Sequence, residues 1–83
     1  MPLIEVHLWS GLRRLTDGCE KVSIEATTIG QMLVALENAY PGLGPIIDSG
    51  VSVSINGEIF NGARFREINE GDEIFLMQRL KGG

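Results

Sequence analysis

Val51-Ser52-Val53-Ser54-Ile55-Asn56-Gly57-Glu58-Ile59-Phe60 decides the fold. Apolar β-branched residues alternate with serines over its first five positions, the period of a strand with one face in a core. Asn56-Gly57 follows at once. That pair between apolar runs is the strongest short hairpin signal, because both central residues of the turn need positive φ. Glu58-Ile59-Phe60 is then the returning strand, and Asn61-Gly62 breaks it.

Upstream of the hairpin lies one helix. Thr28 and Gln31 have capping-box spacing. Ile29, Met32, Leu33, Leu36 and Tyr40 then fall on one stripe, and Pro41 ends the run, since the residue before a proline avoids helical geometry. Gly42, Gly44 and Pro45 read as a loop, with Ile46 and Ile47 packing down from a short turn. Further upstream, Leu3 to Trp9 alternates: Ile4, Val6 and Leu8 point one way, Leu3, Glu5, His7 and Trp9 the other. Val22 and Ile24 mark a second strand over about 20–25. Leu12-Arg13-Arg14-Leu15, between two turn signals, fits neither period.

Downstream, Glu70-Gly71-Asp72 is a turn and Glu73 to Gln78 the last strand, with Ile74 and Leu76 inward. The order strand, strand, helix, strand, short strand, strand is α+β: a mixed sheet of four to five strands packed on one main helix. If the first and last strands pair at its centre, the result is a β-grasp, or ubiquitin-like, roll. Periodicity does not dictate that pairing. One domain over 1–78 with a flexible tail over 79–83 is the expected organisation.

The 83 residues include one cysteine and one histidine and carry a formal net charge of −4. A single cysteine excludes a disulfide scaffold, a four-cysteine zinc site and an iron–sulfur ferredoxin. An acidic chain makes nucleic acid a poor partner. No apolar run approaches the ~18 residues of a membrane span, and Met1-Pro2-Leu3-Ile4-Glu5 lacks a basic n-region. The expectation is a soluble cytoplasmic protein with no membrane partner.

Catalytic side chains are scarce. Nucleophilic catalysis wants a nucleophile beside a base oriented by a third group, and this chain offers one His7 on a strand and one Cys19 beside a turn; Cys19 reads as a small, partly buried hydrophobe. Gly42-Leu43-Gly44-Pro45 has no following lysine and is no phosphate loop. No metal site is expected. The reactive candidate is instead the end of the chain, Gln78-Arg79-Leu80-Lys81-Gly82-Gly83. A glycine carboxylate has no side chain beside it, and Gly82 permits backbone angles closed to other residues, so the tip can thread a narrow channel. Its carboxylate is ionised at neutral pH and needs outside activation, for example adenylation. Arg79 and Lys81 make this the basic segment of an otherwise acidic chain, drawn toward a partner's ATP-phosphate pocket.

A second feature concerns surface. Phe75 and Met77 point opposite to Ile74 and Leu76, as Leu3, His7 and Trp9 do on the first strand. Neighbouring strands would join these into an apolar patch on the uncovered face, which marks a partner surface, unless the loop 61–69 with Phe65 folds over it. Trp9 and Phe75 are the leading anchors.

Val51 to Phe60, then Ile68-Asn69-Glu70-Gly71-Asp72-Glu73-Ile74-Phe75-Leu76 and the final Gly82-Gly83, resemble the ThiS/MoaD family of ubiquitin-like sulfur carriers. The resemblance implies a β-grasp fold and a carrier, a co-substrate and not an enzyme, with no cofactor of its own. A ubiquitin-activating-type adenylyltransferase, which binds the ATP, would adenylate Gly83. A sulfur donor would displace AMP, and the thiocarboxylate would pass sulfur to an acceptor synthase subunit. By length molybdopterin biosynthesis comes first, with thiamine thiazole or tRNA thiolation next. The molybdopterin subunit carries prolines before its diglycine where this chain has Met77-Gln78-Arg79-Leu80-Lys81, closer to the ubiquitin tail. A protein modifier conjugated through Gly83 and a non-catalytic interaction domain stay open as alternatives.

Overall fold

The first and last strands do meet. The computed structural model describes residues 2–79, in which five strands form one sheet: β1 (Leu3–Leu8), β2 (Lys21–Glu25), β3 (Val51–Ile55), β4 (Glu58–Asn61) and β5 (Ile74–Gln78). Their order across the sheet is β2-β1-β5-β3-β4. β1 and β5 run parallel, with Val6 opposite Ile74 and Leu8 opposite Leu76; every other pair is antiparallel. This is the β-grasp arrangement, and the mixed sheet is the expected one.

Two helices lie in the long crossing between β2 and β3: α1 (Ile29–Ala39) and the short α2 (Gly44–Ser49). α1 buries Ile29, Met32, Leu33 and Leu36, the stripe read from the sequence. The Thr28 hydroxyl accepts from the Gln31 amide. The return half of the capping box is shifted by one residue: Gln31 Oε1 accepts from the Thr27 amide at 2.9 Å. The core is almost wholly aliphatic, with Ile4, Val6, Val53, Ile55, Ile74 and Leu76 from the sheet meeting α1, Leu12, Leu43 and Ile68.

The hairpin turn is as expected, with φ of 51° at Asn56 and 90° at Gly57. Two segments differ from the sequence reading. Ser10–Leu15 is a 3₁₀ segment that buries Leu12, and residues 44–49 are helical rather than a loop and turn. Pro45 is tolerated there because first-turn amides lack a helical acceptor anyway.

Candidate functional site

β5 is the last strand among the described residues. It is bonded on both sides, to β1 and to β3, and Arg79 follows it directly. At that point β5 passes Gly50, whose φ is 108°; a Cβ there would lie 3.2 Å from Arg79 Cδ. The bare backbone at Gly50 thus gives the arginine stem its room. Lys81, Gly82 and Gly83 lie outside the described residues, as does the proposed tail apart from Arg79.

The uncovered face of the sheet follows from strand register. Lys21 pairs with His7, His7 with Phe75, Phe75 with Ser54, and Ser54 with Ile59. Residues directly opposite share a face, so these five make one row across all five strands. His7 and Phe75 stack, with ring centroids 4.5 Å apart and planes 20° from parallel. Phe75 is 39% exposed and Ile59 56%. The next row holds Met77, Ser52 and Asn61, where the Ser52 hydroxyl hydrogen-bonds to Asn61 Oδ1. Ser52 and Ser54 are buried although they face outward: they are short, and longer neighbours overhang them. The result is a shallow apolar surface beside the end of β5.

At the opposite end the same face turns acidic. Glu5, His7, Glu70, Asp72 and Glu73 border one hollow. Lys21 Nζ lies 2.8 Å from Glu5 Oε2, and the hydrogen bond and charge of Lys21 hold the Glu5 carboxyl below its ordinary pKa. Asp72 Oδ2 accepts from the Asn69 amide at 2.8 Å, and the Glu73 amide donates to Asn56 Oδ1 at 2.9 Å, which ties the hairpin turn to the turn before β5.

The structure brings Phe75, Met77, His7 and Leu3 to this face, as the alternation requires. It does not group Trp9 with them. Trp9 lies past the end of β1, caps the 3₁₀ segment and packs partly against the core. It borders a groove of about 330 Å³ with Gly11, Arg14, Gly50, Gln78 and Arg79. Trp9 therefore belongs with Gln78 and Arg79 rather than with Phe75. The loop 61–69 does not fold over the apolar patch: its backbone bonds to the start of α1, on the other side of the sheet. Ile59 is the face residue that the sequence reading left unassigned. The two-residue turn could have placed it, since pairing Ile55 with Glu58 sets Ile59 opposite Ser54.

Cys19 is half-buried. It neighbours Tyr40, whose phenol is pushed above its ordinary pKa by burial and by the thiol. Among the described residues no three His, Cys, Asp or Glu side chains gather as a metal cage, and no helix is long and apolar enough to cross a membrane.

A sequence model of the ThiS family matches residues 6–83. This chain belongs to the ThiS family. Solved structures of similar shape agree. Small archaeal modifier protein 1 from Haloferax volcanii is 26% identical with a TM-score of 0.77, over 96% of this chain and 100% of that one. CysO from Mycobacterium tuberculosis is 25% identical with a TM-score of 0.78, over 93% and 99%. A Pyrococcus furiosus chain described as subunit 1 of a molybdopterin converting factor has a TM-score of 0.78 at 14% identity, over 96% and 100%; at that identity the likeness carries the fold alone. A search of curated protein sequences returned no match. For a ThiS-family chain the open sheet face and the strand leading to residue 83 are the two features to explain.

Proposed function

We propose that this chain is a sulfur carrier whose reacting atom is the carboxyl carbon of Gly83. The observation that carries this is the family match, which runs through the terminal Gly82-Gly83. A carboxylate oxygen of Gly83 attacks the α-phosphorus of ATP held by an activating adenylyltransferase, and pyrophosphate leaves. Hydrosulfide supplied by a donor then adds to the acyl carbon, gives up its proton and expels AMP as the C–O bond to phosphate breaks, leaving a thiocarboxylate for an acceptor synthase subunit. The chain itself holds no cofactor. Its part is to present a slim tip and a docking surface, with Phe75, Met77 and Ile59 as the apolar centre and Trp9, Arg79 and Lys81 around the tail root. Molybdopterin synthesis is the first acceptor pathway, thiamine thiazole and tRNA thiolation the next.

A second reading is a protein modifier, joined through Gly83 to a lysine of another protein. The 26% identity to a small archaeal modifier protein favours keeping it. Activation is the same in both; only the final nucleophile differs. Intact-mass measurement after incubation with the activating enzyme, ATP and a sulfur source separates them. A sulfur-for-oxygen exchange is the expected result. Covalent ladders on a denaturing gel with no such exchange would establish the modifier. Neither product, with full function after deletion of Gly82 and Gly83, would leave an interaction domain. Deleting Gly83 alone is expected to abolish transfer while the melting temperature stays within about 2 °C, because terminal residues add few contacts.

A further inference from the structure

Residues 62–68 leave β4 and run along the first turn of α1. The Gly30 amide donates to the Arg64 carbonyl at 2.9 Å, the Ile29 amide to the Arg66 carbonyl at 3.0 Å, and the Ile68 amide to the Thr27 carbonyl at 3.0 Å. Thr28 and Glu67 form a bridge beside them. First-turn helix amides lack intrahelical acceptors, so this loop completes the helix and is held on both sides of its tip. The tip is Phe65, 95% exposed, the barest of the large apolar side chains among the described residues. The backbone bonds on either side hold this phenylalanine in solvent rather than letting it turn into the core.

A groove of about 460 Å³ is bordered by Glu25, Gly30, Gln31, Val34 and Arg64, the last being the chain neighbour of Phe65. Val34 is itself exposed. Glu25 and Arg64 stand at this groove without an ion-pair partner among the described residues. Arg66 is engaged elsewhere, its guanidinium carbon 5.2 Å from the centre of the Phe60 ring.

A knob, a groove, an unpaired cation and an unpaired anion on one surface are what an isologous interface requires, since each patch must complement itself. We propose that this face pairs with a second copy of the chain about a twofold axis. Each Phe65 enters the other copy's groove beside Val34, and each Arg64 meets the other copy's Glu25. The net charge of −4 disfavours an anionic membrane as the occupant. One phenylalanine and its surroundings bury far less than the ~800 Å² per partner of a stable complex. The dimer is therefore weak, with a dissociation constant on the order of 10⁻⁴ M. The pairing does not depend on the sulfur-carrier reading.

Sedimentation equilibrium of the full chain tests it. Between about 10 μM and 2 mM the mean mass is expected to rise from one chain toward two. Phe65→Ser, at a solvent-exposed site, should weaken association about tenfold or more without lowering the melting temperature. Arg64→Glu should weaken it as well, and adding Glu25→Arg to that variant should restore it to within about threefold. A single-chain mass throughout, a dimer indifferent to Phe65→Ser, or a charge swap that fails to restore association would each overturn the proposal. So would a monomer that binds phosphatidylserine vesicles, or the activating enzyme, through Phe65.

Discussion

On the covered side of the sheet, Ile4, Val6, Val53, Ile55, Ile74 and Leu76 are sealed beneath α1. One residue along the same strands, on the other side, stand His7, Phe75, Met77 and Ser54, with Ile59 beside them on β4. The backbone is shared, and so are its hydrogen bonds. What differs is where the burial comes from. The covered side meets a helix of its own chain, so its residues are branched aliphatics that fill space. Among the described residues the open side is covered by no other element, and it carries rings and a thioether over small serines, a surface that another molecule can press against. On the docking surface proposed above, folding energy and recognition fall to alternate residues and can be changed separately.

That separation can be broken experimentally. Leu36→Ala, at a fully buried position of α1, is expected to cost about 2–5 kcal/mol in urea unfolding. A loss under about 1 kcal/mol would mean the covered side is not the main source of stability. Phe75→Asp should reduce affinity for the proposed activating adenylyltransferase by about tenfold or more, read by calorimetric titration, with stability changed by under about 1 kcal/mol. Unchanged affinity would remove the open face from the docking surface. Thr28→Ala, which takes the cap from the covering helix, should cost about 1 kcal/mol, with enzyme affinity unaffected.

The smallest effect concerns Glu5. Its carboxyl pKa is lowered in the folded chain by Lys21. Its contribution to stability is therefore present above its unfolded pKa and lost as the pH falls through the lowered folded value. Lys21→Met should return the Glu5 titration, followed by NMR, to the ordinary carboxylate range. It should leave stability unchanged at pH values below both pKa values.

Much of this was legible because local chemistry forced it. Asn56-Gly57 accepts two positive φ angles in succession, and Thr28 with the 29-32-33-36 stripe admits one helix. The central pairing of β1 with β5 left no local trace, since it joins the two ends of the chain in parallel. The 3₁₀ segment escaped because it buries only Leu12 and turns Arg13 and Arg14 to solvent. Trp9 continues the alternation of β1 on paper, but Ser10 and Gly11 bend the chain away at that point. The Thr27 contribution to the helix start was hidden by the threonine beside it, since Gln31 is long enough to reach past the first-choice cap. Of the candidate site, Phe75 and Met77 followed from period alone, whereas Ile59 required the register.

The placement of β5 between two neighbours has a mechanical consequence. A partner that draws the end of the chain into a channel pulls along the axis of β5, beyond Gln78. The load then falls on the β1 and β3 ladders together, in shear, rather than peeling one bond at a time from a sheet edge. If the proposed delivery of the chain end takes place, the body meets that traction through two ladders at once, with edge strands β2 and β4 lying outside the line of load.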